Sequence, residues 1–533
     1  MRKRKSDVRI VVGFCLVVTL FFVCVLRIFI INNSDYAEVV QNSSSYKLEL
    51  SRLRGTIFDC NMHAITNNET RTIATFLPNE SAVSAAASVL VGEQKSAVLD
   101  TLKKGMPQFA EIQKPIDYYG VFCVENYINT TSELISPQLI GYVDADGHGV
   151  SGIQKAYDEL LFSEQKHAIA VAIDGLGNIL PGGEITEIID ESVINSGIRL
   201  TLDSDIQELT LKAMQKVKCG AAVVSEIGTG KIRAMVSVPE FDATKITDYL
   251  KHPDSPLVNR ALAAYNVGSV FKPCVAAAAI EANKAQKIYT CKGLAEFSGH
   301  TFRCHSYTGH GKIDLKNALA YSCNVFFYNL ATYLGADSVY NMASSLGFNS
   351  GYEVCSGLSC SANMPSLKAL ESERSLVNLS IGQGSLLLSP VSILSLYEAI
   401  ANGGVYYPQT VVEGIVKNGA TEHFPAPTPT RVMSKATADT IKQQLSAVLE
   451  YGTGKTAAPT LTTAAGKTAT AETGWIKDEK KVENSWFCGF FPLDKPKYVV
   501  SVLIENSLGG DDIAAPVFSR IADSIVTLEN SKK

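Results

Sequence analysis

The stretch IRLTLDSDIQELTLKAMQKV, Ile198 to Val217, is followed closely by GAAVVSEIGTGKIRAMVSVPEFD, Gly220 to Asp242, and the two together decide the fold class. Ile198, Leu200 and Leu202 alternate with polar residues, the two-residue period of a half-buried strand. Asp203 or Ser204 then offers a side-chain cap, and an amphipathic helix follows. In the second stretch two apolar runs flank a Gly228 to Gly230 turn and read as a hairpin. Helix first, then hairpin, predicts an α+β domain built on an antiparallel sheet. A further hairpin is predicted across Asp494 to Pro496, joining Trp486–Pro492 to Tyr498–Glu505, and a last helix from about Ala515 to Leu528.

Upstream, the chain changes character. The first residues, MRKRKSDVR, are basic, and Ile10 to Ile31 is apolar apart from Thr19 and Arg27. That pattern predicts one membrane helix over 9–31 with a cytoplasmic tail, 1–8, held inside by its Lys/Arg cluster, leaving the remainder extracytoplasmic. A cleaved signal peptide is the alternative, but no small-x-small cleavage site follows the apolar run. Between the anchor and about Ser192, short strand-like runs mix with turn clusters such as Asp144 to Gly152, an irregular α+β module. With 533 residues, two folded domains plus an anchor are expected.

Composition excludes several classes. Hydrophobic residues at 46% and charged residues at 19% speak against a disordered or polytopic chain. A formal net charge of -5 supplies no basic field for nucleic acid. Ten of the twelve cysteines lie beyond the anchor, with no CxxC pair at zinc spacing, so no metal site is expected. Cys291 with Cys304, or Cys355 with Cys360, could close short-loop disulfides; buried free thiols are the alternative. GTGK at 452–455 lacks the spacing and parallel strand of a phosphate loop.

Three short patterns carry chemistry. Ser-x-x-Lys occurs at Ser44/Lys47, Ser163/Lys166 and Ser269/Lys272, and only the last sits in a Gly-led turn opening into a strongly helical run, VGSVFKPCVAAAAIEA. There i and i+3 share a face, so the Lys272 amine is expected to reach the Ser269 hydroxyl. A lysine serves as a base only when neutral, which from a pKa of about 10.4 costs roughly 4.6 kcal/mol at pH 7 and calls for burial or a second cation. Ser322-Cys323-Asn324 interrupts the apolar helical stretch KNALAYSCNVFFYNLA with two polar groups that need partners. Lys467-Thr468-Ala469 opens KTATAETG, a strand of small residues that permits close approach; Lys455-Thr456-Ala457 and Ser361-Ala362-Asn363 are decoys in turn-like settings.

In this order and spacing, the three patterns resemble those shared by penicillin-binding proteins and serine β-lactamases. RGTIFD at 54–59 and GVSGIQKAYD at 149–158 are similar to the N-terminal pedestal of class B penicillin-binding proteins, as are SIGQGSLLLSPVSILSLYEAIANGG at 380–404, the GTG at 452–454 and the WFCGFFP strand. The resemblance implies a pedestal or dimerisation-like domain over 32–194 and a transpeptidase domain over 195–533, an antiparallel sheet flanked by helices. It implies a D,D-transpeptidase that cross-links peptidoglycan stem peptides through a serine acyl-enzyme and is inhibited by β-lactams; a D,D-carboxypeptidase, a β-lactam sensor or a noncatalytic scaffold are the alternatives. Ser269 becomes the nucleophile, Lys272 its base, Ser322 the proton relay and Lys467 the second cation. Asn324 would bind the substrate amide, Thr468 and Thr470 the terminal carboxylate, and the N–H groups of Ser269 and Thr470 the oxyanion. Ala469 stands where glycine is usual, adding a methyl where substrate would lie. Asn266-Val267 replace common prolines, and Gln154 stands where Glu is frequent. No cofactor is implied; a multi-span glycan polymerase is the expected partner. Thiol catalysis by Cys304 or Cys323 with His305 or His310 is a remote rival.

Overall fold

Asp203 caps the helix expected after Leu202: its carboxylate accepts the N–H groups of Asp205 and Ile206, and the helix runs Ser204–Met214 (α1). The hairpin follows as Gly220–Glu226 (β1) and Lys231–Val238 (β2), with Glu226 opposite Lys231 and Gly220 opposite Val238. The computed structural model describes residues 2–32, 45–129, 135–477, 479–508 and 513–532. Ser44 of the first Ser-x-x-Lys pattern, residue 1 of the expected tail, and 33–44 of the expected pedestal lie outside them. The other elements that shape the site are Lys272–Glu281 (α2), Leu315–Ala320 (α3), Asn324–Leu334 (α4), Pro390–Ala401 (α5), Lys435–Glu450 (α6), Ala465–Lys477 (β3), Lys480–Phe491 (β4), Tyr498–Leu508 (β5) and Ala514–Ser531 (α7).

The main sheet has the order β2-β1-β5-β4-β3 and is antiparallel at every step. The hairpin read from Trp486 to Glu505 is β4–β5, and α7 is the expected last helix. β3 is an edge strand, so half of its backbone groups face away from β4. Two helices run through the core. Every residue from Lys272 to Ala279 of α2 is buried, as is all of α5, which explains sequences without a polar face. The alanines of α2 let α4 and α6 pack closely on it, and α5 lies against β4 and β5.

The chain divides into two compact units, 1–53 with 70–127 and 163–191, and 54–69 with 128–162 and 192–533. The partition is more interleaved than a single cut at 194/195. Thr56–Phe58 pairs parallel with Gly197–Leu200, which pairs antiparallel with Val412–Lys417, so the RGTIFD segment is built into the larger unit's second sheet. The smaller unit holds two three-stranded sheets, Ser45–Arg54 with Phe162–Ala172 and Ile185–Ile188, and Gln108–Ile112 with Glu69–Phe76 and Val121–Ile128. Its buried His167 is held between Asn126 Oδ1, 2.9 Å, and Glu187 Oε1, 2.8 Å. By itself, the helix Arg2–Asn32 contains a 20-residue run, Val11–Ile30, long and apolar enough to cross a membrane.

Candidate active site

Ser269 lies in a single 3₁₀ turn, Gly268–Phe271, that leads directly into α2. The turn is possible because position 268 has no side chain. Gly268 has φ of +60°, and a Cβ there would stand 3.2 Å and 3.3 Å from the methyls of Ala471 and Ala469 on β3. Its N–H donates to Gly382 O at 2.9 Å. At Gly382, φ is +72° and a Cβ would fall 2.0 Å from Gly268 O. The Tyr397 hydroxyl of α5 donates to Val270 O at 2.9 Å and completes the clamp. Ser269 itself is half-buried.

One turn on, Lys272 is fully buried. Its Nζ donates to Ser322 O at 2.7 Å, Ser322 Oγ at 3.1 Å and Asn324 Oδ1 at 2.7 Å, and lies 5.4 Å from the centre of the Phe327 ring. The expected reach is therefore redirected: all three bonds go to Ser322 and Asn324, where acceptors converge, rather than to Ser269. Burial pushes the amine down to about 7, against a smaller upward pull from the thiols of Cys323 and Cys304. An amine poised there exchanges a proton readily near neutrality.

The expected continuous helix through KNALAYSCNVFFYNLA is broken. Helix α3 ends at Ala320, Ser322 has φ of +55°, and α4 begins at Asn324. A left-handed serine costs on the order of 1 kcal/mol, and the break takes the Ser322 carbonyl out of helical pairing and turns it onto Lys272. Sequence periodicity misses this because the apolar positions on both sides stay in phase.

On β3 the side chains alternate: Lys467, Ala469 and Ala471 are buried, Thr468 is half-buried and Thr470 exposed. Lys467 Nζ donates to Thr468 O at 3.0 Å. Thr468 Oγ1 meets Thr453 Oγ1 at 2.8 Å, and Thr453 N–H donates to Ala320 O at 3.0 Å, so the GTG loop joins the strand to the end of α3. The reading of Ala469 needs correction. Its methyl lies on the buried face toward Gly268, because residues 467, 469 and 471 share one side of the pleat, so it does not stand on the face that Thr468 and Thr470 present. The decoys separate cleanly: Lys455–Ala457 is a 3₁₀ turn with Lys455 exposed, and Lys166 pairs with Glu49 at 2.6 Å.

A family model described as the penicillin binding protein transpeptidase domain matches residues 220–523. The chain belongs to this family. The resemblance drawn from the motifs and the α+β fold class are thereby borne out. Among curated relatives, penicillin-binding protein PbpB of Mycobacterium tuberculosis is 29% identical over 425 residues, 74% of this chain and 61% of that one. Stage V sporulation protein D of Bacillus subtilis is 27% identical, over 76% and 65%, and peptidoglycan D,D-transpeptidase MrdA of Haemophilus influenzae 27%, over 72% and 63%. The chain thus spans slightly under two thirds of the length of these relatives. In fold it is similar to the D,D-transpeptidase domain of a peptidoglycan glycosyltransferase from Eggerthella lenta, at TM-score 0.65 and 24% identity over 91% of this chain and 100% of that one.

Within the family's fold, the pedestal-like motifs have a clear local role. The Arg54 guanidinium, 4% exposed, bonds Gln154 Oε1 at 2.7 Å, Gln154 O at 2.9 Å and Gly147 O at 2.8 Å, and pairs with Asp158 Oδ1 at 2.8 Å. Asp158 supplies the carboxylate that Gln154 lacks. The sequence has no CxxC pair at zinc spacing, yet the fold brings cysteines that are distant in the chain together. Every cysteine among the described residues is a free thiol, and Cys291, Cys304 and Cys323 converge with His310. Cys304 Sγ is 3.8 Å from His305 Nδ1 and 3.6 Å from His310 Nδ1, the pairing weighed above as a thiol-catalysis rival. Both Cys304 and Cys323 are buried, which removes them as nucleophiles toward a substrate in the cleft. A spacing of C-x12-C-x5-H-x12-C is the only sequence trace of the cluster.

Proposed function

We propose that this protein is a peptidoglycan D,D-transpeptidase. The observation that carries the reading is Lys272: a lysine buried without a carboxylate partner among the described residues, held by Ser322 and Asn324 one turn after Ser269. With its pKa near 7 it takes the Ser269 proton as Oγ attacks the carbonyl of the penultimate D-alanine. Ser322 Oγ, 3.1 Å from Lys272 Nζ, passes that proton to the departing terminal D-alanine. The ester at Ser269 is then attacked by the amine of a second stem peptide, which forms the cross-link and returns the serine. Asn324 binds the substrate amide, the N–H groups of Ser269 and Thr470 hold the oxyanion, and Lys467 with Thr468 and Thr470 receives the terminal carboxylate. An edge strand, β3, suits an extended peptide added alongside. Ala469 contributes backbone there, its methyl turned inward.

The Haemophilus relative's name, peptidoglycan D,D-transpeptidase, supports the reaction. Penicillin binding protein 3 of Mycobacterium tuberculosis, similar in fold at TM-score 0.66, has been solved with aztreonam, which supports β-lactams as inhibitors. The N-terminal helix is the membrane anchor, with the basic end cytoplasmic and the catalytic unit extracytoplasmic; the smaller unit serves as pedestal, and a multi-span polymerase supplies glycan strands. Reconstitution with such a polymerase should raise cross-linking, and no gain removes that partner. Intact-mass spectrometry after fluorescent penicillin should give one stoichiometric adduct, absent in Ser269→Ala. No adduct on folded wild-type protein overturns the reading, and release of D-alanine without cross-linked product would make the enzyme a carboxypeptidase.

A further inference from the structure

The two N–H groups assigned above to the oxyanion, those of Ser269 and Thr470, belong to different elements: the 3₁₀ turn ahead of α2 and the edge strand β3. An oxyanion hole works only if its donors stand at a fixed separation, because each must lie about 2.7–3.1 Å from the same developing charge. Ser269 and Thr470 are far apart in the sequence. Packing therefore has to set their spacing.

Trp486 of β4 reaches both elements. Its Cα stands opposite Ala469, and the adjacent Ser485 stands opposite Thr470. Residues directly opposite in an antiparallel pair share one face of the sheet. The Trp486 side chain thus emerges with Ala469 on the face turned to Gly268, where a Cβ at 268 would lie 3.3 Å from the Ala469 methyl. The indole is fully buried, and its Nε1–H donates to Asn266 O at 3.0 Å. A buried indole N–H needs an acceptor, and many oxygens could serve. Here the acceptor is the backbone of the segment that leads into Ser269, so one rigid side chain rooted beside β3 holds the nucleophile turn.

Tyr265 braces that indole. Its ring meets Trp486 edge-on, with centroids 6.4 Å apart and planes at 73°. Its N–H donates to Leu388 O at 3.0 Å and its carbonyl accepts from Leu388 N–H at 2.9 Å. Its hydroxyl donates to Glu505 Oε1 at 2.6 Å, a carboxylate of β5 that also pairs with Arg260 Nε at 3.0 Å. Because β5 pairs with β4, and β4 with β3, the brace closes on the sheet that carries Thr470. We propose that Trp486, braced by Tyr265, is a positioning residue that sets the distance between the Ser269 and Thr470 N–H groups. It acts through the nucleophile turn and β3 rather than on substrate. The proposal rests on the acyl-transfer reading and concerns the rate of acylation, not the capture of ligand.

The test is pre-steady-state acylation of the full chain in detergent by benzylpenicillin. Varying the ligand concentration separates the dissociation constant of the first complex from the acylation rate constant, and infrared difference spectroscopy reads the ester carbonyl of the acyl-enzyme. Trp486→Phe keeps an aromatic ring and removes the N–H. It should lower the acylation rate constant about 10–100-fold, the scale of a misplaced donor, with the dissociation constant within about twofold of wild type. The carbonyl stretch should move to higher frequency as its hydrogen bonds lengthen, while the pH midpoint of acylation stays at the wild-type value, because Lys272 keeps its partners. Tyr265→Phe should move rate and frequency in the same direction by less. It decides the matter if Trp486→Phe does not fold: rate and frequency both unmoved then overturn the proposal. So does a folded Trp486→Phe that acylates at the wild-type rate with an unshifted carbonyl, or one that loses only affinity. No adduct on folded wild-type protein overturns the acyl-transfer reading itself, and the proposal with it.

Discussion

Among the buried cations of the larger unit, Arg54 and Lys272 are treated in opposite ways. Arg54 has a carboxylate at 2.8 Å and three further bonds, so its charge is matched where it sits. Lys272 is more deeply buried, yet its partners are two side-chain oxygens and a carbonyl, all neutral. A paired guanidinium is built to remain charged and hold segments together. A lysine denied a counter-charge is built to lose its proton, which is a chemical capability and a cost to stability. On the proposed reading, the same unit separates a structural cation from a reactive one by the presence of a single carboxylate.

Exchanging each cation for methionine should break the symmetry. Lys272→Met should lower the second-order rate of penicillin acylation by about 10²–10⁴, the usual worth of a positioned base, while the unfolding midpoint hardly moves because the desolvation cost and three bonds leave together. Arg54→Met should do the reverse: a loss of about 2–4 kcal/mol in stability, discounted for the part-exposed Asp158, with the acylation rate of protein still folded at low temperature within a few-fold of wild type. Stopped-flow acylation and denaturant unfolding on both variants check the pair. A large kinetic loss in Arg54→Met would mean that the two cations are not separable.

Titration sharpens the contrast. If neutral Lys272 is the base, acylation should fall about tenfold per pH unit below about 7 and level off above it. The stability sign follows from the same shift. The folded value, about 7, is below the ordinary lysine value of 10.5, so between them the unfolded chain binds the extra proton. The penalty of burying the ammonium is therefore full below about 7 and relieved as pH rises toward 10.5. Lys272→Met should flatten both profiles, and an unchanged acylation profile would remove Lys272 as the base.

What was legible in the sequence follows the same division. The capped helix α1, both hairpins and the last helix could be read because period and turn chemistry are local. The choice of Ser269/Lys272 over two decoys rested on the glycine-led turn and the alanine run, and that context is where the clamp by Gly382 and the burial of Lys272 are found. Long-range closure was not legible. Nothing local says that α3 and α4 break at Ser322, that RGTIFD joins the larger unit's sheet, or that Cys291 and Cys323, separated by thirty-one residues, meet. The pleat of β3 was readable in principle, since Lys467, Ala469 and Ala471 share its period, but the buried face depends on the turn at Gly268.

That pleat yields the smallest expected effect. An outward Ala469 methyl would obstruct ligand, and Ala469→Gly would then accelerate acylation. An inward methyl packed toward Gly268 predicts instead an acylation rate within about twofold of wild type, because the exposed surface of β3 is unchanged. The cost should appear in stability, about 1–2 kcal/mol, from backbone entropy and one buried methyl. Parallel acylation and unfolding measurements decide between the two. A gain of tenfold or more in acylation would mean that β3 turns the Ala469 side chain toward the ligand when one binds, and the contrast between its buried and exposed faces would then hold only for the free protein.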